Sequence, residues 1–249
     1  MLNDIIVFTK RIVKDIHFLW TRRTSESYIS FLRSRGINIG QNVHFRHPRH
    51  TTIDLTRPSL IQIGSNVDIN DYFTIMTHDF GTFVFRNLFG DFVASSGSVT
   101  LGNNIYIARN VTILKGVTIG DNCIIGLGSI ITKDIPSNSV VCGIPARVIC
   151  TLEEYYEKRK NLQAEEAIQY GMSLLKRGIE PRITNFTEEW CLFFRECDYE
   201  KYPEMHRIID VRIKNNKDFF KNRKVVFNGF EEFIDIVKIR YSEIQSQNE

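Results

Sequence analysis

Six aliphatic residues follow one another at intervals of six: Leu101, Ile107, Ile113, Ile119, Ile125 and Ile131. Neither regular element has that period, since a strand alternates faces every second residue and a helix returns to one face about every 3.6. A short strand followed by a turn, repeated as one wall of a coil, does have it. Four residues beyond the first five stand Ile105, Val111, Val117, Cys123 and Ser129, all compact. Gly or Ala follows several of the aliphatics, as in Leu101-Gly102, Ile107-Ala108, Ile119-Gly120 and Ile125-Gly126. The same phase is present upstream at Ile39-Gly40, Phe45, Ile63-Gly64, Ile69 and Ile75, at offsets that are all multiples of six. One unit of this size cannot bury its apolar face alone, so stacked units are expected to share a continuous aliphatic column in a solenoid over 37–149.

The phase breaks after Ile75 and resumes by Val99 or Leu101. Continuing it would place Asp79 at a compact inward position and Gly81 at an aliphatic one, so the chain is expected to leave the wall near Thr77 and rejoin it by Gly97. The excursion 77–97 carries His78, Asp79, Arg86, Asp91, Ser95 and Ser96. Long loops on rigid scaffolds concentrate function.

The stretch Val117-Thr-Ile-Gly-Asp-Asn-Cys-Ile-Ile-Gly-Leu-Gly-Ser-Ile-Ile-Thr-Lys-Asp-Ile-Pro136, closing with Gly143-Ile-Pro-Ala-Arg-Val-Ile149, resembles the last coils of the left-handed parallel β-helix acyltransferases of the xenobiotic, galactoside and maltose acetyltransferase type. The resemblance covers 37–149. It implies a mainly β fold built as a left-handed parallel β-helix, acetyl-CoA as the donor, and a homotrimer with active sites between subunits. Sugar acetyltransferases similar to the galactoside enzyme carry a catalytic histidine three residues beyond the Ile of an Ile-Gly-Ser-His segment. Here that segment reads Ile107-Ala108-Arg109-Asn110, and asparagine cannot serve as a general base. The streptogramin branch places its histidine in the loop leaving the coil. Thr74-Ile-Met-Thr-His78-Asp-Phe80 resembles that arrangement, as does Asn87-Leu88-Phe89-Gly90, so the resemblance carries the base to His78.

A hydroxyl is a poor nucleophile at neutral pH, and an imidazole is suited to remove its proton. The other ring nitrogen needs an orienting acceptor, for which Asp79 or a backbone carbonyl of the loop is available. By the same resemblance, the oxyanion donor is a backbone amide near Ala108 or from Ser96 and Gly97. Tyr106 stands where relatives commonly carry Trp, beside the pantetheine track. The amides of Gly126 and Gly128 would hold the pantetheine, and Lys133 and Arg147 would meet the phosphates of coenzyme A.

The 32 basic and 29 acidic residues are scattered along the chain, which excludes the cationic block that nucleic acid needs. Five cysteines, an odd number with no Cys-x-x-Cys pair, read as reduced thiols in the cytoplasm. The apolar run Ile5-Ile6-Val7-Phe8 is too short for a signal peptide, and no stretch is long enough to span a bilayer. His44, His47 and His50 have ligand-like spacing, but Arg46 and Arg49 flank them and Pro48 interrupts, so no metal is expected.

Residues 1–36 carry apolar positions at helical spacing, among them Ile5, Phe8, Ile12, Ile16, Leu19, Tyr28 and Leu32. These predict one or two amphipathic helices covering the open end of the coil, with peripheral contact to the inner membrane surface as the alternative. Beyond Ile149 the period vanishes. A helical extension over 150–249 is expected, with a helix from Leu152 to Arg177, further segments over 187–222 and 229–246, and a small core around Trp190, Phe193, Phe194 and Phe233.

These readings together predict an acetyl-CoA-dependent O-acetyltransferase acting on a sugar hydroxyl of a bacterial surface or capsular polysaccharide or its precursor. The alternative acceptor is the amine of an amino-sugar nucleotide or an antibiotic. A carbonic-anhydrase-like or non-enzymatic β-helix is the reading from a different class.

Overall fold

The computed structural model describes residues 17–194 and 224–247. Ile5, Phe8, Ile12 and Ile16, and residues 195–222 of the expected C-terminal segment, lie outside the described residues. Two compact units are present, Met1–Tyr156 and Glu157–Glu249.

In the first unit, helix α1 (Ser25–Ser34) starts at Thr24, whose hydroxyl accepts from the Ser27 amide while Ser27 Oγ accepts from the Thr24 amide. This reciprocal pair satisfies two of the amides that a helix start leaves without partners. Tyr28 and Leu32 are buried in the same core as the strands, and the Tyr28 ring meets Phe45 edge-on at 5.1 Å.

The strands come in sets of three. β1 (Asn38–Ile39), β2 (His44–Phe45) and β3 (Thr52–Ile53) are followed by β4 (Ile61–Ile63), β5 (Val67–Ile69) and β6 (Thr74–Ile75). A hairpin then interrupts, with β7 (His78–Asp79) antiparallel to β8 (Ser95–Ser96) and helix α2 (Thr82–Phe89) between them. The series resumes with β9 (Val99–Leu101), β10 (Ile105–Ile107) and β11 (Thr112–Ile113), then β12 (Thr118–Ile119), β13 (Cys123–Ile125) and β14 (Ile130–Ile131). β15 (Ser139–Gly143) and the antiparallel β16 (Ala146–Thr151) close the unit.

The first member of each set belongs to one parallel sheet, the second to another and the third to a third. Ile39, Ile63, Leu101 and Ile119 are in register in the first sheet. Phe45, Ile69, Ile107, Ile125 and Val141 align in the second, and Ile53, Ile75, Ile113 and Ile131 in the third. All are buried. The period of six is thus one step from sheet to sheet, and three steps bring the chain back beside itself one circuit later.

The upstream phase has a different origin from the one its spacing predicts. Between Phe45 and Ile63 the chain makes two steps, through Ile53, and not three; the 3-10 turns Pro48–His50 and Pro58–Leu60 supply the extra residues. Those insertions happen to total one repeat.

Each turn from the first sheet to the second uses an asparagine in the left-handed region: Asn42, Asn66, Asn104, Asn122 and Asn138, with φ between 53° and 59°. Asparagine is among the few residues with a side chain that tolerates this conformation. The side chains also hydrogen-bond between circuits, Asn42 to Asn66 at 2.8 Å, Asn104 to Asn122 at 2.8 Å and Asn122 to Asn138 at 2.9 Å. The glycine that precedes this turn is required by close stacking: a Cβ on Gly64 would overlap the carbonyl of Gly102 in the next circuit.

Helix α3 (Leu152–Lys176) forms as the charge pattern predicts, and Thr151 and Glu154 cap its start reciprocally at 2.8 and 3.2 Å. In the second unit Phe186, Phe193, Phe233 and Val237 are buried, the last two from helix α4 (Phe230–Gln247). Trp190 is buried as well, and Phe194 packs against the cluster partly exposed. No described helix is long and apolar enough to cross a membrane.

Replacing Ile113, fully buried in the third sheet, with Ala is expected to lower the unfolding free energy by about 2–5 kcal/mol, read from the shift in a urea transition at unchanged slope.

Candidate active site

His78 sits where the chain leaves the wall. Its Nδ1 is 2.5 Å from Oδ2 of Asp54, a residue of the preceding circuit just beyond β3. The Asp54 carboxylate is buried, with 3% of its side chain exposed. Thr77 donates to Oδ2 through its amide at 3.1 Å and its hydroxyl at 2.5 Å. Thr56 donates to Oδ1 through its amide at 3.0 Å and its hydroxyl at 2.7 Å, and Thr56 Oγ1 also lies 3.2 Å from His78 Nδ1.

Burial alone would raise the Asp54 pKa. The hydrogen bonds from Thr77 and Thr56, followed by that from His78, outweigh it and hold the carboxyl well below the usual range. An ionised carboxylate only accepts, so in the neutral imidazole Nδ1 carries the proton and Nε2 keeps its lone pair. With 28% of the His78 side chain exposed, the arrangement suits removal of a proton from a bound hydroxyl.

The expected orienting groups are corrected by this geometry. Neither Asp79 nor a loop carbonyl faces Nδ1; Asp54 does. Neighbours along a strand point to opposite sides, and Asp79 pairs with Lys115 and accepts from the Gly81 amide at 3.0 Å. Lys115 also donates to Ser95 Oγ, so one ammonium from the third circuit ties both strands of the hairpin.

Ser96 pairs with His78 across the hairpin, and Gly97 returns the chain to the wall against Gly116. The Gly97 amide donates to Thr77 O at 2.9 Å. The amide of Ala108 donates to Ile125 O at 2.9 Å, that of Gly126 to Val141 O at 2.7 Å, and that of Gly128 to Arg109 O at 2.9 Å. All four amides therefore already serve the fold, contrary to the expectation that they would be offered to an oxyanion or to pantetheine. Tyr106 is exposed on β10, its hydroxyl 3.4 Å from Asn70 Nδ2 and its ring 5.9 Å from the Arg46 guanidinium. Lys133 and Arg147 are exposed, Arg147 bonding its own neighbour's carbonyl, Ala146 O, at 2.9 Å.

The expected residues thus fall into two sets. His78, Asp79, Ser96 and Gly97 gather where the third sheet turns back to the first. Tyr106, Ala108, Gly126 and Gly128 follow the second sheet across two neighbouring circuits. Asp54, Thr56, Thr77 and Lys115 escaped the sequence reading, since only the true register, with Ile53 beside Ile75, puts Asp54 next to His78.

A model of the bacterial transferase hexapeptide family (six repeats) matches residues 98–133. Protein CapG of Staphylococcus aureus is 37% identical over 140 residues, which span 56% of this chain and 78% of CapG. Galactoside O-acetyltransferase of Escherichia coli (strain K12) is 39% identical over 125 residues, spanning 48% of this chain and 61% of that enzyme. Among solved structures, maltose O-acetyltransferase from Clostridium difficile 630 is similar at 27% identity and a TM-score of 0.39, over 60% of this chain and 89% of that one. The chain belongs to the hexapeptide-repeat acyltransferase family and is an acetyltransferase.

Asp54→Asn is expected to lower kcat by about 100-fold or more, since the amide no longer fixes the tautomer. Because its folded pKa is depressed, Asp54 contributes stability that is present above the unfolded aspartate value of about 3.9 and lost as pH falls through the folded value. The stability gap between wild type and Asp54→Asn should accordingly narrow on acidification below about pH 4, measured by denaturant titration at several pH values. Lys115→Met, which frees the hairpin from the wall, should reduce kcat by about 10-fold while leaving KM for acetyl-CoA unchanged.

Proposed function

We propose that the chain is an acetyl-CoA-dependent O-acetyltransferase acting on a sugar hydroxyl, with His78 as general base and Asp54 as the group that fixes its tautomer. The observation that carries this reading is the His78–Asp54 pair at 2.5 Å, which leaves Nε2 as the basic nitrogen. Nε2 takes the proton of the acceptor hydroxyl as its oxygen attacks the thioester carbonyl. The tetrahedral intermediate collapses to the ester, and the departing thiolate of coenzyme A recovers the proton from the imidazolium. Likeness to galactoside O-acetyltransferase supports both the O-linked product and a carbohydrate acceptor.

In this reading the three parallel sheets wind as a left-handed parallel β-helix over 37–149, between N-terminal and C-terminal helical segments. The donor lies against the surface of the second-sheet set, Tyr106, Ala108, Gly126 and Gly128, whose last three amides stay with the fold, and Lys133 and Arg147 lie toward its phosphates. That set and His78 occupy different corners of one chain, which favours a homotrimer in which two copies complete each active site. The enzyme would work in the cytoplasm, peripheral to the inner membrane when its acceptor is assembled there.

The loop beside His78 exposes Phe80, Phe83, Phe85, Phe89 and Phe92. Aromatic faces of this kind stack on the apolar faces of pyranose rings, and their number favours an acceptor of several rings, a surface or capsular polysaccharide or its precursor.

The test is release of free thiol from acetyl-CoA by wild type and His78→Ala over a panel of oligosaccharides, amino-sugar nucleotides and streptogramins. Turnover with an oligosaccharide that falls by about 100-fold or more in the variant is expected. Equal rates would remove His78 from the chemistry, and turnover confined to an amine acceptor would replace O-acetylation with N-acetylation.

A further inference from the structure

A second histidine and carboxylate meet on the turns between the second and third sheets, away from the corner that holds His78. The insertion after β2 winds as the 3-10 turn Pro48–His50, with His47 at its start. The rings of His47 and His50 stack, with centroids 5.9 Å apart and planes 15° from parallel. The Tyr72 ring also stacks with His50, at 4.9 Å and 8°.

Asp71, from the neighbouring circuit, is buried, and its Oδ1 lies 2.8 Å from His50 Nδ1. Its Oδ2 is 3.4 Å from Arg109 Nη2, which leaves Oδ1 turned toward the imidazoles. One ligand atom from each of His47, His50 and Asp71 lies within 4.8 Å of the other two. His44 stands outside this group, so the set differs from the three-histidine run of the sequence. The flanking Arg46 is paired with Asp68 at 2.9 Å, which offsets its charge.

We propose that His47, His50 and Asp71 bind a divalent first-row transition ion such as Zn2+, which clamps the inserted turn of the first circuit to the second. Two imidazoles and one carboxylate suit such an ion and not Mg2+ or Ca2+, which take oxygen ligands. Bonds of about 2.0–2.2 Å to each ligand require the two exposed imidazoles to turn toward a carboxylate that burial keeps fixed. Arg109 on Oδ2 is then the outer partner that orients the ligating carboxylate.

Tag-free full-length protein, freed of metal by chelation, is to be titrated with Co2+ while visible absorption is recorded, and with Zn2+ by calorimetry. One ion per chain is expected, with ligand-field bands in the Co2+ form. His47→Ala and His50→Ala, both exposed positions, should each weaken binding by about 10-fold or more, while His44→Ala and His78→Ala bind as wild type does. Absence of saturable binding at micromolar ion, undiminished binding in either His47→Ala or His50→Ala, or loss of binding in His78→Ala would overturn the site.

Discussion

The stacking of one circuit's inward aliphatic residue directly on the next circuit's is the interaction on which everything else in the first unit rests. Ile107 lies beside Ile69 and Ile125, and Ile113 beside Ile75 and Ile131. A slip by one residue would turn this entire column outward, so burial fixes the register of every strand at once. The alternation is visible within β10, where Ile105 and Ile107 are buried and Tyr106 between them is exposed. Precision in the site follows from precision in the stack. Asp54, His78 and Lys115 come from three successive circuits and are far apart along the chain, yet each is held by the register of the strand beside it.

The middle of the fold is plain in the sequence because five uninterrupted steps leave no other way to bury Leu101 through Ile131. The first two circuits were harder. Two inserted turns restore the phase by Ile63, so the period is kept while the path it implies is not, and Ile53 lies in the wall although it falls outside the six-residue phase. His78 could be singled out because the broken phase near Thr77 and the family likeness pointed to the same residue. Its partner could not, since an aspartate twenty-four positions upstream becomes a neighbour only after the circuits close. The backbone amides at Ala108, Gly126 and Gly128 follow the same rule: a small residue on an edge suggests access, but these donors are engaged by backbone carbonyls, a feature only the closed circuits reveal. The asparagine turns gave a local signal, a polar pair before each second-sheet strand, that hydrophobic periodicity does not weigh.

The buried carboxylate at the site is kept charged by the same economy of donors. A lone ionised group in this position would be strongly disfavoured, and the chain meets it with two threonines placed one on each oxygen. Thr77 does so from the point where the wall ends, which couples the departure of the loop to the charge state of Asp54. Loop geometry and acid–base character are therefore set by one cluster of hydrogen bonds.

A parallel sheet that adds one strand per circuit has no inherent stopping point, and its two ends offer unpaired strand edges that could template another molecule. Both ends of the second sheet are closed. At one, Ser25 of α1 accepts from the Phe45 amide at 3.0 Å while Tyr28 and Leu32 fill the space a further circuit would occupy. At the other, β16 runs antiparallel to β15 and so breaks the pattern that a parallel newcomer would have to continue. These two devices give the second sheet a finite length and guard its ends against the end-to-end growth of a fibre.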